Sequence, residues 1–276
     1  MINYNGTLLS SATEITTNNR GFLYGDAVFE TFKFANNTIL FLEDHYFRLM
    51  ASMRIVRMEI PMHFTLEYLE EQLLELVNAA EIKSAARIRM TVYRNEGGLY
   101  FPTTKSVSFV IQISPLPNQL YSINKDSYEV DLFKDFVITK QLLSTIKTTN
   151  KMINIVGSIY ANENSLQNCL LLNNEKNVIE ALNGNVFMLL NSKLITPPIS
   201  DGCLNGIMRK QVLEIAKKME TIEVVEESIS PFDLQKADEL FITNVITGIQ
   251  PITKYRKKEF ASLFSEEITS KLNALI

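Results

Sequence analysis

Apolar and polar residues recur along this chain with two periods, one of two residues and one of three to four, which predict strands and helices respectively. In the first 114 residues the shorter period predicts strands at Asp26–Phe34, Ala86–Tyr93 and Ser106–Ile113, after a short hairpin at Ile2–Leu9. The longer period predicts helices at Leu42–Val56 and Leu66–Ala80. Two prolines then interrupt the pattern within Ser114–Asn118, so we expect a linker at residues 115–120.

Short apolar strands separated by turn residues follow the linker. They are predicted at Ser127–Phe133, Cys169–Leu172, Val178–Leu182, Val186–Leu190, Leu194–Thr196 and Glu239–Thr243. Tight spacing of the four middle strands indicates an antiparallel meander, and helices are expected at Asn150–Asn162 and Gly206–Met219. The chain length favours two domains, so we predict an α/β protein of the α+β type with domains at 1–114 and 121–276.

Composition and charge narrow the classes of function. Hydrophobic residues make up 46% of the chain and charged residues 21%, as in an ordinary globular protein. The formal net charge of −4 provides no basic surface for nucleic acid. Cys169 and Cys203 lack the spacing of a metal site, so no metal is expected. The first 16 residues carry no leader pattern and no apolar run is long enough for a membrane span, which predicts a cytoplasmic, thiol-reducing location.

Lys147 is the first candidate for chemistry. Most lysines are solvated surface residues, but Lys147 ends the string LLSTIK directly before Thr148 and Thr149. Those threonines offer an N-cap for the apolar-striped helix that follows, which would fix the Lys147 backbone beside a helix start. Such a position suits a Schiff-base lysine, although it does not by itself distinguish one from a surface lysine.

The string Leu204–Arg209 contains a second candidate. Asn205 can cap a helix whose first free N–H groups belong to Ile207 and Met208, and those groups with the helix dipole would bind a phosphate. Gly206 would let a ligand approach the backbone closely. The alternative interpretation is an ordinary capped helix.

Three charged residues fall where a charge needs a partner. Glu180 lies on an apolar face of its predicted strand, where a protonated pyridine nitrogen would stabilise a buried carboxylate; the alternative is an exposed glutamate on an edge strand. Arg48 follows the apolar stripe of its helix, and Arg94 closes an apolar strand face. Each arginine could bind an anion through two N–H groups, although Arg48 could equally pair with Glu43 or Asp44.

In this order these residues resemble the class IV aminotransferase family, the fold-type IV pyridoxal-phosphate (PLP) enzymes, over nearly the whole chain. The resemblance is carried by Arg20–Thr31, His45–Leu49, Ile146–Asn150, Glu180 with Asn185–Phe187, Thr196–Pro198, Gly206–Arg209 and Ala237–Phe241. It implies a two-domain α/β enzyme, usually a homodimer, with a smaller N-terminal α/β domain and a larger C-terminal domain built on an antiparallel-rich sheet or barrel. PLP is the implied cofactor, and the implied partner is a small-molecule substrate.

The resemblance also implies roles for single residues. Lys147 would bind PLP covalently and, once substrate displaces it, would act as the general base. Glu180 would keep the pyridine nitrogen protonated, so that the ring can act as an electron sink. The phosphate and the remainder of the cofactor would be bound by Arg48, Gly206, Ile207, Met208, Asn244 and Val245.

Positions at which this chain differs from some members of the family indicate which reaction it catalyses. D-amino-acid aminotransferases carry an Arg-x-His carboxylate trap in the loop corresponding to Gly97–Phe101, and this chain has neither residue there. Aminotransferases typically present a threonine hydroxyl to the phosphate at the positions of Met208 and Val245, whereas these two residues resemble those of 4-amino-4-deoxychorismate lyases. The resemblance therefore favours a lyase that forms 4-aminobenzoate and pyruvate for folate biosynthesis.

Arg94 is the predicted ligand of a substrate carboxylate, and Tyr24, Phe29 and Tyr100 are predicted pocket walls. Two other functions stay open. An aminotransferase of hydrophobic or branched-chain L-amino acids with 2-oxoglutarate would be suited by the apolar residues Phe29 and Leu99. A catalytically silent PLP-binding homologue is the third, and the presence of both Lys147 and Glu180 counts against it.

Overall fold

The computed structural model describes residues 1–10 and 16–276, which divide into two compact units. Unit 1 comprises Met1–Leu120 and Ile146–Asn150, and unit 2 comprises Tyr121–Thr145 and Lys151–Ile276. The chain first passes between them at the C-terminal end of the predicted linker. The predicted C-terminal domain contained Lys147, whereas the structure assigns Lys147 to unit 1, because residues 146–150 hydrogen-bond to residues 25–29.

The described residues of unit 1 form a six-stranded antiparallel sheet with three helices. Its strands are β1 (Ile2–Tyr4), β2 (Thr7–Leu9), β3 (Ala27–Ala35), β4 (Thr38–Ile39), β5 (Ala85–Arg94) and β6 (Val107–Leu116), in the spatial order β2-β1-β6-β5-β3-β4. Its helices are α1 (Arg20–Tyr24), α2 (Leu42–Ile55) and α3 (Leu66–Ala79). The predicted strands and the two long helices are confirmed. α1 was not predicted, because its five residues are too short to display a helical period.

One face of this sheet packs against α2 and α3. Since side chains alternate across a strand, Val28 and Phe32 of β3 and Ile88 of β5 point towards the helices and form the core with them. The opposite face of the same strands carries Phe29 and Arg89. The alternation in the sequence therefore distinguishes the face that packs against α2 and α3 from the face that carries Phe29 and Arg89.

β6 is longer than the sequence predicted. The prediction that this strand ends at Ile113 is wrong, because it continues through Pro115, which lies opposite Ala86 of β5. β1 pairs with β6 only at residues 110–112, so Pro115 lies where β6 has a single neighbour among the described residues. A missing N–H is tolerated at such an edge position.

Unit 2 is built on one extended sheet in which most pairings are antiparallel. Its strands are β7 (Glu129–Ile138), β8 (Asn168–Asn173), β9 (Val178–Ala181), β10 (Gly184–Leu190), β11 (Lys193–Thr196), β12 (Glu223–Glu226), β13 (Glu239–Asn244), β14 (Gly248–Ile252), β15 (Lys254–Tyr255) and β16 (Lys258–Glu259). The main path is β12-β11-β10-β9-β8-β7-β15-β16, while β13 pairs with β10 and β14. The helices are α4 (Met152–Glu163), α5 (Ile207–Ala216) and α6 (Leu263–Asn273). The predicted α/β class and the antiparallel meander β8–β11 are confirmed.

Two predicted helix caps are wrong. α4 begins after Lys151 with no side-chain cap, and the Thr149 hydroxyl donates instead to the carbonyl of Gly25. α5 begins after Gly206, also without a side-chain cap, so Asn205 stands one residue too early to serve as its N-cap. The first amides of α5 are therefore not bound by a capping side chain. In the portions of the chain that the structure describes, no helix combines the length and apolarity needed to cross a membrane.

Candidate active site

Lys147 lies in an extended segment beside β3. The Phe29 amide donates to the Lys147 carbonyl at 2.8 Å, and the Thr149 amide donates to the Ala27 carbonyl at 3.1 Å. Thr148 forms an antiparallel bridge with Val28, so the alternation of side chains puts Lys147 and Phe29 on the same face. The Lys147 Nζ lies 4.6 Å from the centre of the Phe29 ring. The backbone of Lys147 is thus fixed by β3 and not by the predicted helix cap.

Arg89 shares this face, although it is not among the site residues predicted from the sequence. Its guanidinium carbon lies 3.7 Å from the centre of the same Phe29 ring. Arg89 and the Lys147 Nζ are therefore separated by at most the sum of the two distances, 8.3 Å. Burial, and the charge of Arg87 two residues earlier, lower the pKa of Arg89. The signal was present in the sequence, since Arg87, Arg89 and Phe29 occupy corresponding positions of alternating strands.

A buried ionic cluster joins β3 to α2. Glu30 accepts hydrogen bonds from Nε and Nη2 of Arg48 at 2.7 and 2.6 Å, and its Oε2 lies 2.7 Å from Nδ1 of His45. The side chains of Glu30, Arg48 and His45 are 1%, 10% and 0% exposed. Arg48 therefore binds a carboxylate of the sheet, Glu30. This residue was not among the partners considered from the sequence, which were Glu43 and Asp44 on the same helix.

Burial and neighbouring charges fix the ionisation of this cluster. Burial alone would raise the pKa of Glu30, but the charge and hydrogen bonds of Arg48, with His45, lower it to about 2. Burial also lowers the pKa of His45; Glu30 opposes this, while the charges of Arg48 and Lys147 lower it further. His45 is thus neutral at pH 7, and we assign its proton to Nδ1, which faces the carboxylate. The charge of Lys147 acts on this cluster from the opposite face of β3, since Glu30 and Arg48 lie on the face that packs against α2.

Arg94 occupies the other face of the sheet. Its Nε donates to Oδ2 of Asp26 at 2.9 Å, and its terminal nitrogens donate to the carbonyls of Arg57 and Val56 at 3.0 and 2.7 Å. Arg94 is 6% exposed, and these contacts join β5 to the end of α2. The structure therefore gives Arg94 a structural role on the face opposite to Lys147, and its substrate role stays a prediction.

Tyr24 and Tyr100 contact one another beside the Lys147 segment. Their ring centres are 5.8 Å apart. Tyr24 ends α1, and the next residue, Gly25, accepts hydrogen bonds from the side chains of Thr149 and Asn150. Unit 1 therefore brings together three of the predicted substrate residues, Tyr24, Phe29 and Tyr100, around the segment of Lys147.

Glu180 lies on β9, between β8 and β10, and is 9% exposed. The alternative of an exposed edge-strand glutamate is therefore wrong. Across the strands Glu180 pairs with Asn185 of β10. The Leu204 amide donates to Glu180 Oε2 at 2.8 Å, and Asn185 Nδ2 donates to the Leu204 carbonyl at 2.8 Å. These two side chains hold the chain in a fixed position just before α5.

The start of α5 is suited to an anion. Its N-cap is Gly206, and no side chain caps its first turn, so the amides of Ile207 and Met208 and the helix dipole face the N-terminal end. A Cβ on Gly206 would lie 1.9 Å from the Asn185 Oδ1, so a larger residue would require the Asn185 side chain or the helix start to move. These observations fit a bound phosphate group.

Asn244 ends β13, which lies next to β10, and Val245 follows it. Thr243 of β13 pairs with Asn185, so Glu180, Asn185 and Thr243 form a row across three strands. Asn244 Oδ1 accepts hydrogen bonds from the amides of the following turn. Val245 is 8% exposed. Unit 2 therefore gathers Glu180, the start of α5 and the residues after β13 at the same end of these strands.

A lysine fixed on a strand, a buried carboxylate and an uncapped helix start are the parts that a PLP enzyme requires for covalent attachment, ring protonation and phosphate binding. The donor set present in this chain therefore fits PLP. Each part lies within one unit: Lys147 and Arg48 in unit 1, and Glu180 with the amides of Ile207 and Met208 in unit 2.

Comparison with known proteins agrees with this chemistry. The family model for amino-transferase class IV matches residues 27–255. A provisionally named branched-chain-amino-acid aminotransferase of Methanocaldococcus jannaschii is 31% identical over 262 residues, which cover 94% of this chain and 88% of that protein. A D-alanine aminotransferase of Bacillus licheniformis is 25% identical over 260 residues, with 91% and 86% covered. A solved structure of a provisionally named 4-amino-4-deoxychorismate lyase from Legionella pneumophila is 21% identical, with a TM-score of 0.87 and 96% of each chain covered.

The chain belongs to the class IV aminotransferase family. Members of this family are PLP-dependent enzymes, so the predicted cofactor and the prediction of an enzyme are confirmed. The similarity in fold to the lyase structure confirms the predicted fold type.

Proposed function

We propose that this protein is a PLP-dependent lyase that converts 4-amino-4-deoxychorismate to 4-aminobenzoate and pyruvate. The observation that carries the proposal is the pair Met208 and Val245, which stand where aminotransferases of the family present threonine hydroxyls to the phosphate. Both side chains are apolar and buried, at 1% and 8% exposure. Neither can donate a hydrogen bond.

The number of phosphate contacts matters differently for the two reactions. An aminotransferase must retain its cofactor while the lysine is detached from it for half of every cycle, so noncovalent contacts alone hold it there. A lyase restores the covalent link to its lysine at the end of each turnover. Hydrogen bonds to a charged group contribute about 1.5–3 kcal/mol each, so a lyase tolerates the loss of two such contacts more easily.

Different residues of the chain bind the cofactor and move the proton. PLP, when bound, supplies an electron sink for the charge left at the reacting carbon. Lys147 binds the cofactor and then removes the proton from the ring carbon that bears the substrate amine. Glu180 stabilises the positive charge on the pyridine nitrogen, and Arg48 and the first amides of α5 bind the phosphate. The bond between the neighbouring ring carbon and the enolpyruvyl oxygen then breaks, and the released enolpyruvate takes up a proton to become pyruvate. The double bond left in the ring makes it aromatic, which supplies much of the driving force.

Arg89 is our candidate for binding a substrate carboxylate, in place of Arg94. Its position supports this role, since it lies on the face that carries Lys147 and within 8.3 Å of its Nζ. None of the ion pairs among the described residues involves Arg89 or Arg87, so an anion would complete this face. The proposed substrate carries two carboxylates, for which two neighbouring arginines are suited.

A product assay tests the proposal. The purified holoenzyme is incubated with 4-amino-4-deoxychorismate and, separately, with L-leucine and 2-oxoglutarate. We expect equal amounts of 4-aminobenzoate and pyruvate from the first mixture and no glutamate from the second. Keto-acid exchange without 4-aminobenzoate would overturn the lyase. Lys147→Ala should abolish both activity and the visible absorption of the bound cofactor, whereas Lys151→Ala, four residues along, should keep both.

An aminotransferase of hydrophobic L-amino acids is the second candidate. It is supported by the similarity to the relative from Methanocaldococcus jannaschii, which is provisionally named a branched-chain-amino-acid aminotransferase. The apolar residues Phe29 and Leu99 would suit such a substrate. In the same assay this function predicts glutamate from the second mixture.

We further propose a homodimer in the cytoplasm. α1 and the neighbouring loop expose large apolar side chains, namely Phe22, Leu23, Leu99, Tyr100 and Phe101, at 75%, 49%, 75%, 90% and 85%. A cluster of this kind is typical of a protein interface, and a second copy is the partner that the family resemblance implies. Cys169 and Cys203 are free, buried thiols, in agreement with a reducing compartment.

A further inference from the structure

We infer that Arg20 is a positioning residue for substrate binding and acts through the apolar loop Gly97–Phe101. The substrate part of this inference rests on the proposed function, since it assumes that Tyr24 and Tyr100 form walls of the substrate pocket. The structural part rests on contacts within unit 1 alone.

Arg20 binds three consecutive carbonyl groups of the loop. Its Nη1 lies 3.1, 3.3 and 2.6 Å from the carbonyl oxygens of Gly97, Gly98 and Leu99. Its Nε donates to Oδ2 of Asp26 at 2.9 Å. Arg20 is 3% exposed. A buried guanidinium surrounded by carbonyls holds the loop strongly, because hydrogen bonds from a charged donor are stronger than neutral ones.

The loop has a fixed backbone and an exposed apolar tip. Gly97 and Gly98 adopt φ values of +119° and +73°, and a Cβ on Gly98 would lie 2.1 Å from the Phe101 carbonyl oxygen. Leu99, Tyr100 and Phe101 nevertheless project into solvent. Because Arg20 holds its carbonyls, the loop presents these apolar side chains as a preorganised binding surface, and little conformational entropy is lost when a ligand binds.

The same arginine is connected to the Lys147 segment. Its guanidinium carbon lies 5.0 Å from the centre of the Tyr24 ring, and that ring lies 5.8 Å from the Tyr100 ring. Gly25, which follows Tyr24, has φ +63° and accepts a hydrogen bond from Asn150 Nδ2 at 3.0 Å. Arg20 therefore fixes the loop and the tyrosine pair relative to the strand segment that carries the reactive lysine.

Arg94 provides a matched control. Its Nε binds the same Asp26 Oδ2 at 2.9 Å, and its burial is similar, at 6% exposure against 3%. Its other donors bind the carbonyls of Val56 and Arg57, which lie outside the loop. Lysine at either position keeps the charge but cannot reproduce the planar set of donors.

The experiment compares the Arg20→Lys and Arg94→Lys holoenzymes with the wild type. Amide hydrogen exchange of residues 95–103 is followed by mass spectrometry, and KM and kcat are measured with 4-amino-4-deoxychorismate. In Arg20→Lys we expect exchange in the loop to be at least fivefold faster and KM at least fivefold higher, with kcat within twofold and unchanged cofactor absorption. In Arg94→Lys we expect exchange in the loop to match the wild type.

The possible failures are distinguishable. Equal hydrogen exchange of the loop in the two variants would overturn the positioning of the loop by Arg20. Faster exchange in Arg20→Lys with an unchanged KM would overturn its effect on substrate. If the wild type lacks lyase activity, the proposed function fails, and KM for L-leucine then tests the inference. Should Arg20→Lys not fold, Gly98→Ala disturbs the loop directly and is expected to give the same rise in KM; an unchanged KM would overturn the inference.

Discussion

Glu30 is a buried carboxylate whose ionised form is kept by two neighbours. Its pKa is about 2 in the folded protein, below its ordinary value of 4.5. The ionised group therefore stabilises the fold above about pH 4.5, and this contribution is lost as the pH falls from there towards 2. Removal of one partner from a buried ion pair leaves an unpaired charge. A single residue of this kind therefore has a large effect on the free energy of unfolding.

Glu30→Gln should consequently destabilise the protein at pH 7 by about 3 kcal/mol, because Arg48 is left without its carboxylate. Between pH 5 and pH 3 the free energy of unfolding of the variant should fall less than that of the wild type. Urea unfolding at the three pH values measures both effects. Glu70→Gln, on the exposed side of α3, is the control, and a variant that keeps the wild-type pH dependence would contradict the prediction.

Gly206 is a second residue at which a single added atom, the Cβ, is expected to change a binding property. An added Cβ would collide with Asn185 Oδ1, so either the first turn of α5 or the Asn185 side chain, which binds the Leu204 carbonyl, must move. We expect Gly206→Ala to weaken PLP binding about tenfold, which corresponds to about 1.4 kcal/mol. Titration of the apoenzyme by visible absorption measures this affinity. Lys210→Ala, on the exposed side of the same helix, should bind PLP normally, and equal affinities in all three proteins would refute the role of the helix start.

At the scale of elements, β3 and β5 combine a structural face with a cationic one. Lys33 of β3 lies opposite Arg87 of β5, and burial lowers the pKa of Lys33 to about 8 from 10.5. A lysine that is harder to protonate in the folded state costs stability below about pH 8, and this cost disappears as the pH rises towards 10.5. Like charges directly opposite across two strands add to the cost.

Lys33→Met is therefore expected to raise the midpoint of thermal unfolding at pH 7, by a few degrees, and to raise it less at pH 10. Calorimetry at the two pH values checks this difference. Lys105→Met, at an exposed position, should have no such pH-dependent effect. A lower midpoint for Lys33→Met at pH 7 would indicate that the contacts of Lys33 outweigh the cost of burying its charge.

At the scale of the whole molecule, the exposed apolar cluster on unit 1 predicts self-association. The double variant Phe22→Ser, Tyr100→Ser removes two large side chains of the proposed interface, which are 75% and 90% exposed. We expect the wild type to sediment as a dimer of the 31.5 kDa chain and the variant to sediment as a monomer at micromolar concentration. Phe232→Ser, 74% exposed on unit 2, should remain dimeric. A monomeric wild type would refute the homodimer.

The sequence by itself determined the elements with a clear period and the residues with a specific local pattern. Alternation identified β3 and β5 and the faces of their side chains, because a half-buried strand must separate apolar from polar residues. Recurrence every three to four residues identified α2 and α3 for the corresponding reason. Lys147, Glu180 and Gly206 were found through short strings in a family order. α6 was missed although Phe264, Ile268 and Leu272 recur every four residues.

Only the tertiary structure decided which distant residues meet. Glu30 and Arg48 are 18 positions apart, and their contact depends on how α2 packs on β3. The register of β3 with β5, and of β3 with residues 146–150, puts Arg89 instead of Arg94 on the face of Lys147. Local periodicity records whether a face is buried, but the partner of a charge is set by packing and strand register. The sequence therefore singled out Lys147 as the candidate lysine, and the fold decided which side chains surround it.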